Sequence, residues 1–318
     1  MKAAVVSTFD APPRYADFPA PTPARADEIV VDVLAAGLHP RVRSQADGSH
    51  YTSTGELPLV PGIDGVGRAP GGELRYFVLP DTAVGALAQQ TVVDTRRSIV
   101  LPDDSDPIAV AAAMNPAMSS WVGLRRRVAL QPGQKVLILG ATGNAGQLAV
   151  QVARLLGAAR IVAVGRRTER LSALTALGAT DTVVLDGRPD LADRLGDAGK
   201  DVDVVLDYLW GQPAADALHA IVANRVDDNH QLTWLQIGSV AGPTAPIPSA
   251  ALRATRLQIV GSGQGSVSTR GILAELPALA AEIASGTFQV DARAVPLADV
   301  AQAWVDAATS PQRIVLTP

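Results

Sequence analysis

The sequence predicts an α/β protein in which a doubly wound parallel sheet is joined to a second, irregular and mostly β region. Three observations carry this. From Pro132 onward, short continuous apolar runs recur, beginning with Val136-Leu137-Ile138-Leu139, as expected of strands buried on both faces. Helix-compatible segments lie between most of these runs, the first carrying Leu148, Val152 and Leu155 at helical spacing. Parallel strands need such crossover connections. The first hundred residues have a different texture, rich in Pro and Gly, with strand-like segments set between turns.

In chain order, Ile29–Leu34 and Gln90–Asp94 read as short strands, and Ala109–Met114 opens a helix. After Val136–Leu139 the buried strands are expected at Ile161–Val164, Thr182–Leu185, Val202–Leu206, Trp234–Ile237 and Leu257–Val260. In the tail, Leu273–Ile283 has a helical pattern that Pro277 weakens. Val295 ends a strand, a helix runs through Trp304, and Ile314-Val315-Leu316 forms a last strand able to return to the first domain. A chain of 318 residues is long for one core and comfortable for two.

Composition narrows the function classes. With 47% hydrophobic and 18% charged residues the chain is that of a globular protein. A formal net charge of −4 gives no general attraction to nucleic acid or to an anionic membrane. The absence of cysteine excludes disulfides, thiolate zinc sites and a cysteine nucleophile. No apolar run approaches the ~18 residues of a membrane span, and Asp10 interrupts the N-terminus before a signal-peptide core can form. A cytoplasmic location is expected.

The strongest motif is Gly140-Ala141-Thr142-Gly143-Asn144-Ala145-Gly146, set between the strand ending at Leu139 and the helix carrying Leu148. In that setting glycine lets the chain turn tightly and lets backbone N–H groups approach a pyrophosphate at a helix N-terminus. The bland alternative is close strand–helix packing alone. The second strand then ends Val164-Gly165-Arg166-Arg167, with no acid at its tip. A carboxylate there would bind a ribose 2′-hydroxyl, whereas guanidinium groups bind a 2′-phosphate. Arg166 and Arg167 therefore favour NADPH, the alternative being a solvated basic turn. Ile237-Gly238-Ser239 and Gly261-Ser262-Gly263 end later strands, where such sheets bind ligands; turn chemistry alone is the competing reading. Asp207 has a similar strand-end position, which also suits a helix cap.

These segments, with Gln131-Pro132-Gly133, Pro61-Gly62-Ile63-Asp64-Gly65-Val66-Gly67, Asp203–Asp207 and Leu297–Trp304, resemble the medium-chain dehydrogenase/reductase superfamily, and within it the zinc-free quinone oxidoreductase and enoyl reductase branch. The resemblance implies a GroES-like mostly β domain over 1–118, completed by 287–318, and a Rossmann domain over 119–286, with the active site in the cleft between them. It implies NADPH as cofactor, an electron-poor hydrophobic small molecule as substrate, and a homodimer. Two departures stand out. His39 falls where zinc-dependent members place a first cysteine ligand, but Ile63 stands in place of their histidine, so no metal is expected. The Arg68–Gly85 stretch is a shortened version of the family's segment.

The same resemblance selects the chemistry. Without zinc to polarise a carbonyl, conjugated acceptors that spread incoming charge fit better than simple alcohols. Quinones and other α,β-unsaturated carbonyls lead; enoyl thioesters, needing a basic path such as Arg41, Arg43 and Arg253, are an alternative, as is a non-catalytic NADPH sensor. Tyr51 resembles a tyrosine placed a little before the Leu57–Gly62 segment and is the first candidate to donate to a developing enolate; lining the pocket is the other reading. His39 stands where relatives carry asparagine near the nicotinamide ribose, to orient the cofactor or relay a proton, unless it is a buried histidine satisfied internally. Ser119, before Ser120-Trp121, matches a threonine whose hydroxyl faces the nicotinamide.

Overall fold

The computed structural model describes residues 1–50 and 52–318. Tyr51 lies outside the described residues. The chain divides into two compact units, 1–115 with 276–318, and 116–275.

The first unit opens with β1 (Lys2–Val5), β2 (Arg14–Asp17), β3 (Glu28–Gly37), α1 (Pro40–Ala46), β4 (Asp64–Arg68), β5 (Leu74–Val78), β6 (Gln90–Asp94) and β7 (Ser98–Val100). The shortened stretch after Arg68 is a tight antiparallel hairpin between β4 and β5. It is closed by the Gly72 amide donating to the Ala69 carbonyl at 2.9 Å. Gly72 has a φ of 93°, the left-handed region that glycine enters without a Cβ penalty. Helix α2 (Pro107–Val122) contains the Ala109–Met114 segment and continues past Pro116 into a π-helical turn at Gly123–Val128.

The second unit holds a six-stranded sheet. Its elements are β8 (Lys135–Leu139), α3 (Asn144–Leu155), β9 (Arg160–Gly165), α4 (Thr168–Leu177), β10 (Asp181–Val184), α5 (Leu191–Gly199), β11 (Val204–Asp207), α6 (Gly211–Ala223), β12 (Leu232–Gln236), α7 (Ala251–Ala254) and β13 (Leu257–Gly261). All five pairings are parallel, in the order β10-β9-β8-β11-β12-β13. The apolar runs form its centre: Val136–Leu139, Ile161–Val164 and Val204–Leu206 are essentially inaccessible to solvent. Strand order runs outward from β8 through β9 to β10, then resumes on the other side of β8. This reversal leaves a crevice at the carboxyl ends of the strands, where doubly wound sheets take their ligands.

The chain returns to the first unit through α8 (Thr269–Ala284), which keeps Pro277 within it, then β14 (Ala292–Pro296), α9 (Val300–Asp306) and β15 (Arg313–Thr317). Strand β15 pairs antiparallel with β3 and parallel with β14. The last five-residue strand therefore closes the sheet started by the N-terminal part, in the order β14-β15-β3-β4-β5-β7, with β6 also on β3. Leu297, Val300, Ala303 and Ile314 join Val33, Leu38 and Leu87 in this unit's core. Among the described residues, no helix is long and apolar enough to cross a membrane.

Candidate functional site

The glycine-rich turn leaves β8 and enters α3. Gly140 has a φ of 85°, and its amide and that of Ala141 both donate to the Val164 carbonyl at 3.0 Å. Those two N–H groups, expected among the phosphate contacts, are thus consumed by the neighbouring strand β9, and Ala141 is fully buried. The Gly143 amide closes the turn onto the Gly140 carbonyl at 3.1 Å. What remains for an anion is the start of α3. Asn144, Ala145 and Gly146 are its first positions, no side chain caps them, and the first amide to find its intrahelical acceptor is that of Gln147. A Cβ on Gly146 would stand 2.3 Å from the Gly140 carbonyl oxygen and 2.6 Å from the Ala141 Cα. Only glycine permits this approach, and the cradle is a backbone surface that any side chain at 146 would fill.

At the tip of β9, a Cβ on Gly165 would meet the Thr142 methyl at 2.7 Å, so strand and turn are pressed together. Arg166 and Arg167 follow, both exposed, and neither side chain has a hydrogen bond or ion pair among the described residues. Two unpaired guanidinium groups beside an uncapped helix start suit a phosphate. Arg170 is employed differently: it donates to the Thr142 carbonyl at 3.1 Å and braces the turn.

Beyond β8 several residues expected at the site make bonds within the protein. Asp207, expected among the cofactor contacts, is fully buried. One of its oxygens accepts from the Leu209 and Trp210 amides at 2.8 and 2.9 Å, and the other from the Trp234 indole at 2.9 Å. One carboxylate oxygen thus holds the β11–α6 turn and the other ties it to Trp234 on β12. The amides of Ile237 and Gly238 are likewise committed, both to the Asp207 carbonyl at 2.8 and 3.1 Å. Gly238 is needed for packing, since a Cβ there would lie 2.8 Å from the Tyr208 carbonyl oxygen. The Ser262 amide bonds to the Gln236 carbonyl, and the Gly263 amide to the Ser266 hydroxyl. Ser239 stays exposed, and with Gly261 it lines an open groove of about 410 Å³ at the ends of β12 and β13.

Two residues here that the sequence does not single out stand beside the expected site residues. Tyr208 is buried, and its hydroxyl lies 3.0 Å from the Ser119 hydroxyl, which also donates to the Pro116 carbonyl at 2.7 Å. Burial pushes the Tyr208 phenol up to about 12, so it stays protonated. Trp210, at the groove, has φ 53° and ψ −161°, a conformation held almost solely by glycine and costing about 1–3 kcal/mol. Its only sequence signal is the glycine that follows it.

The first unit contains a separate polar cluster. His39 follows β3 and precedes the proline that opens α1. Its Nε2 is 2.8 Å from Asp64 on β4, and the other Asp64 oxygen accepts from the Tyr76 hydroxyl of β5 at 2.9 Å. Arg313 of β15 is buried alongside, with its Nε and one Nη lacking a partner. Burial holds the His39 imidazole below its usual range, against the pull of Asp64. The neutral ring therefore donates from Nε2, leaving Nδ1 as an acceptor. Burial also lowers Arg313 to about 10 and raises Tyr76 well above the ordinary phenol range, Asp64 adding to the latter. His39 is thus anchored by a carboxylate, with only 3% of its surface exposed. Nearby, Arg41 pairs with Asp81 and donates to Thr52, and Arg43 donates to the Trp304 carbonyl. Arg41 is thus ion-paired, with one Nη left without a partner, and Arg43 is held by a backbone carbonyl.

The family model of zinc-binding dehydrogenases matches residues 145–282. A probable NADPH-dependent quinone reductase of Emericella nidulans is 32% identical over the full length of both chains. The chain belongs to the medium-chain dehydrogenase/reductase superfamily, in its quinone oxidoreductase branch. A chloroplastic NADPH-dependent alkenal/one oxidoreductase of Arabidopsis thaliana is 28% identical over 49% of this chain and 44% of its own. Among solved structures, the quinone oxidoreductase of Thermus thermophilus, studied also as its complex with NADPH, is 27% identical with a TM-score of 0.77 over all of both chains. The zinc of other superfamily members does not fit the residues present here. The sequence has no cysteine, Ile63 is a buried hydrocarbon, His39 is bonded to Asp64, and the described residues contain no group of three potential ligands.

Proposed function

We propose that this oxidoreductase uses NADPH to reduce a quinone or another α,β-unsaturated carbonyl, without a metal. The observation that carries the cofactor reading is the pair of unpartnered arginines, Arg166 and Arg167, beside a cradle that a Cβ at 146 would fill. The chain's full-length likeness to a protein named as a quinone reductase supports the acceptor class. When bound, NADPH supplies a hydride to an electron-poor carbon.

The chain's own residues supply the rest. The start of α3 holds the pyrophosphate by its backbone amides, and Arg166 and Arg167 bind the 2′-phosphate. Tyr51 donates a proton to the enolate oxygen that develops on the acceptor. Ser119, fixed by Pro116 and Tyr208, presents its hydroxyl toward the nicotinamide. His39, held neutral by burial, keeps Nδ1 as an acceptor for a cofactor hydroxyl or a relayed proton. Arg41 is ion-paired with Asp81 and Arg43 is held by the Trp304 carbonyl, which makes them less available to the carrier phosphates of an enoyl thioester. Strand β13 is an outer strand of its sheet, and we assign it to pairing with a second copy in a homodimer.

Steady-state NADPH oxidation with a panel of quinones and enones tests the reading. Turnover with conjugated carbonyls, unaffected by chelators, is expected. Tyr51→Phe should lower enone turnover by about 10²-fold or more while NADPH affinity holds. No turnover with any conjugated acceptor, or activity restored only by zinc, would contradict it.

A further inference from the structure

Trp210 is the outstanding oddity of the second unit. Its backbone sits where glycine is at ease, and the next residue is a glycine with a φ of 66°. The turn is fixed from several sides. Asp207 takes the Leu209 and Trp210 amides, the Ala241 amide donates to the Leu209 carbonyl at 2.8 Å, and a Cβ on Gly211 would meet the Ala241 oxygen at 2.7 Å. The backbone at 210 therefore cannot relax without dismantling the loop packed on it. A bulky residue held in such a conformation points to a use for its side chain. Trp210 is partly buried, packs against the sheet's hydrophobic core and also lines a groove, together with Gln236, Ser239, Pro243, Ile259 and Val260. About 410 Å³ lies within the range of small-molecule sites, roughly 300–1,000 Å³.

The position of the groove in the sheet decides what it takes. The arginines lie at the end of β9, on one side of the fingerprint strand β8. The groove lies on the opposite side, at the ends of β11, β12 and β13. At about 4.8 Å per strand, that is roughly 5–14 Å across the sheet from β8. A dinucleotide with its 2′-phosphate on the arginines therefore has its nicotinamide half directed toward this side, and the acceptor follows it. The lining comprises one aromatic residue, three apolar residues, two polar residues and Gly261. The Gln236 amide nitrogen donates to the Gly238 carbonyl at 2.9 Å, which leaves the Gln236 amide oxygen and the exposed Ser239 hydroxyl as the polar groups of the lining residues.

We propose that Trp210 is the specificity-determining wall of an acceptor subsite that selects fused-ring or aryl-substituted quinones over small aliphatic enones. The inference rests on the reductase reading above and goes beyond it by naming the residue and the shape it selects. The indole face stacks on an extended planar acceptor, an interaction that a single small enone cannot make to the same extent.

The test is equilibrium dialysis of 9,10-phenanthrenequinone against protein saturated with NADP⁺, where no hydride can be transferred. It is paired with KM measurements for phenanthrenequinone and 2-cyclohexenone. Trp210→Gly suits the backbone, and Trp210→Phe keeps an aromatic face; circular dichroism and NADPH titration verify that each is folded and binds cofactor. The glycine variant should bind phenanthrenequinone about 5–10-fold more weakly and raise its KM to match, with cyclohexenone KM and NADPH affinity within about twofold of wild type. The phenylalanine variant should recover most of the loss. Unchanged phenanthrenequinone binding in the glycine variant, an equal loss for both acceptors, or a matching loss of NADPH affinity would each overturn the proposal. So would failure of wild type to bind phenanthrenequinone at all. Wild-type protein that binds phenanthrenequinone through Trp210 but oxidises no NADPH would instead defeat the reductase reading alone.

Discussion

The phosphate turn of the second unit and the Asp64 cluster of the first are assembled in opposite ways. The turn draws on one strand–turn–helix and the next strand tip, Gly140 to Arg167, and works largely through backbone: a Cβ excluded at Gly146, uncapped amides on α3, two exposed guanidinium groups. The cluster draws on positions 39, 64, 76 and 313 and works entirely through buried side chains on three strands and the loop leaving a fourth. The difference teaches where each is vulnerable. A site made of backbone geometry is broken by adding atoms. A site made of buried polar groups is broken by removing one, because its partners are left desolvated and unpaired.

The largest effect should follow removal of the cluster's centre. Asp64→Ala leaves His39, Tyr76 and Arg313 buried without their shared carboxylate. We expect a loss of about 3–5 kcal/mol in chemical denaturation. A loss under about 1 kcal/mol would show that the cluster is solvated or can rearrange.

Next, Gly146→Val should overpack the turn, since its first added carbon would already fall 2.3 Å from the Gly140 oxygen. About 1–3 kcal/mol of destabilisation is expected, with NADPH binding lost in the protein that remains folded. Full NADPH affinity in a folded valine variant would contradict the cradle.

The smallest effect is a pH dependence. Burial lowers the folded-state pKa of His39 below the ordinary 6.5, so the unfolded chain binds its proton first as pH falls. The stabilising contribution is then present above about pH 6.5 and is lost below it, with a slope of up to about 1.4 kcal/mol per pH unit between 6.5 and the folded value. His39→Gln should flatten that part of the stability profile. An unaltered slope would place the titration elsewhere, with His50, also lowered by burial, the first alternative.

The same contrast explains what the sequence discloses. The parallel sheet is legible because each buried strand is a contiguous apolar run, and the phosphate turn because its glycines and arginines are neighbours in the chain. The pairing of β15 with β3 is foreshadowed only as a return of the tail to the first domain, since strand partners far apart in sequence leave no local signature. The Asp64 cluster is hidden for the same reason: Asp64 is visible within Pro61–Gly67, but nothing local links it to Tyr76 or Arg313. Asp207 stays ambiguous in the sequence because a carboxylate at a strand end serves a ligand or a turn equally well, and its bonds to the Trp234 indole and two amides appear only in the structure. Trp210 gives no pattern beyond the glycine that follows it, because its peculiarity is a backbone angle.

The most direct test of the central claim, that the contiguous turn with its two arginines recognises NADPH, is a fluorescence titration of wild type and the Arg166→Ala/Arg167→Ala protein with NADPH and with NADH. Wild type should prefer NADPH. The double variant should lose about 10²-fold or more in NADPH affinity, as expected for losing two charge-assisted bonds of about 1.5–3 kcal/mol each, with NADH affinity nearly unchanged. Equal wild-type affinities for the two cofactors, or unchanged NADPH binding in the variant, would contradict the account.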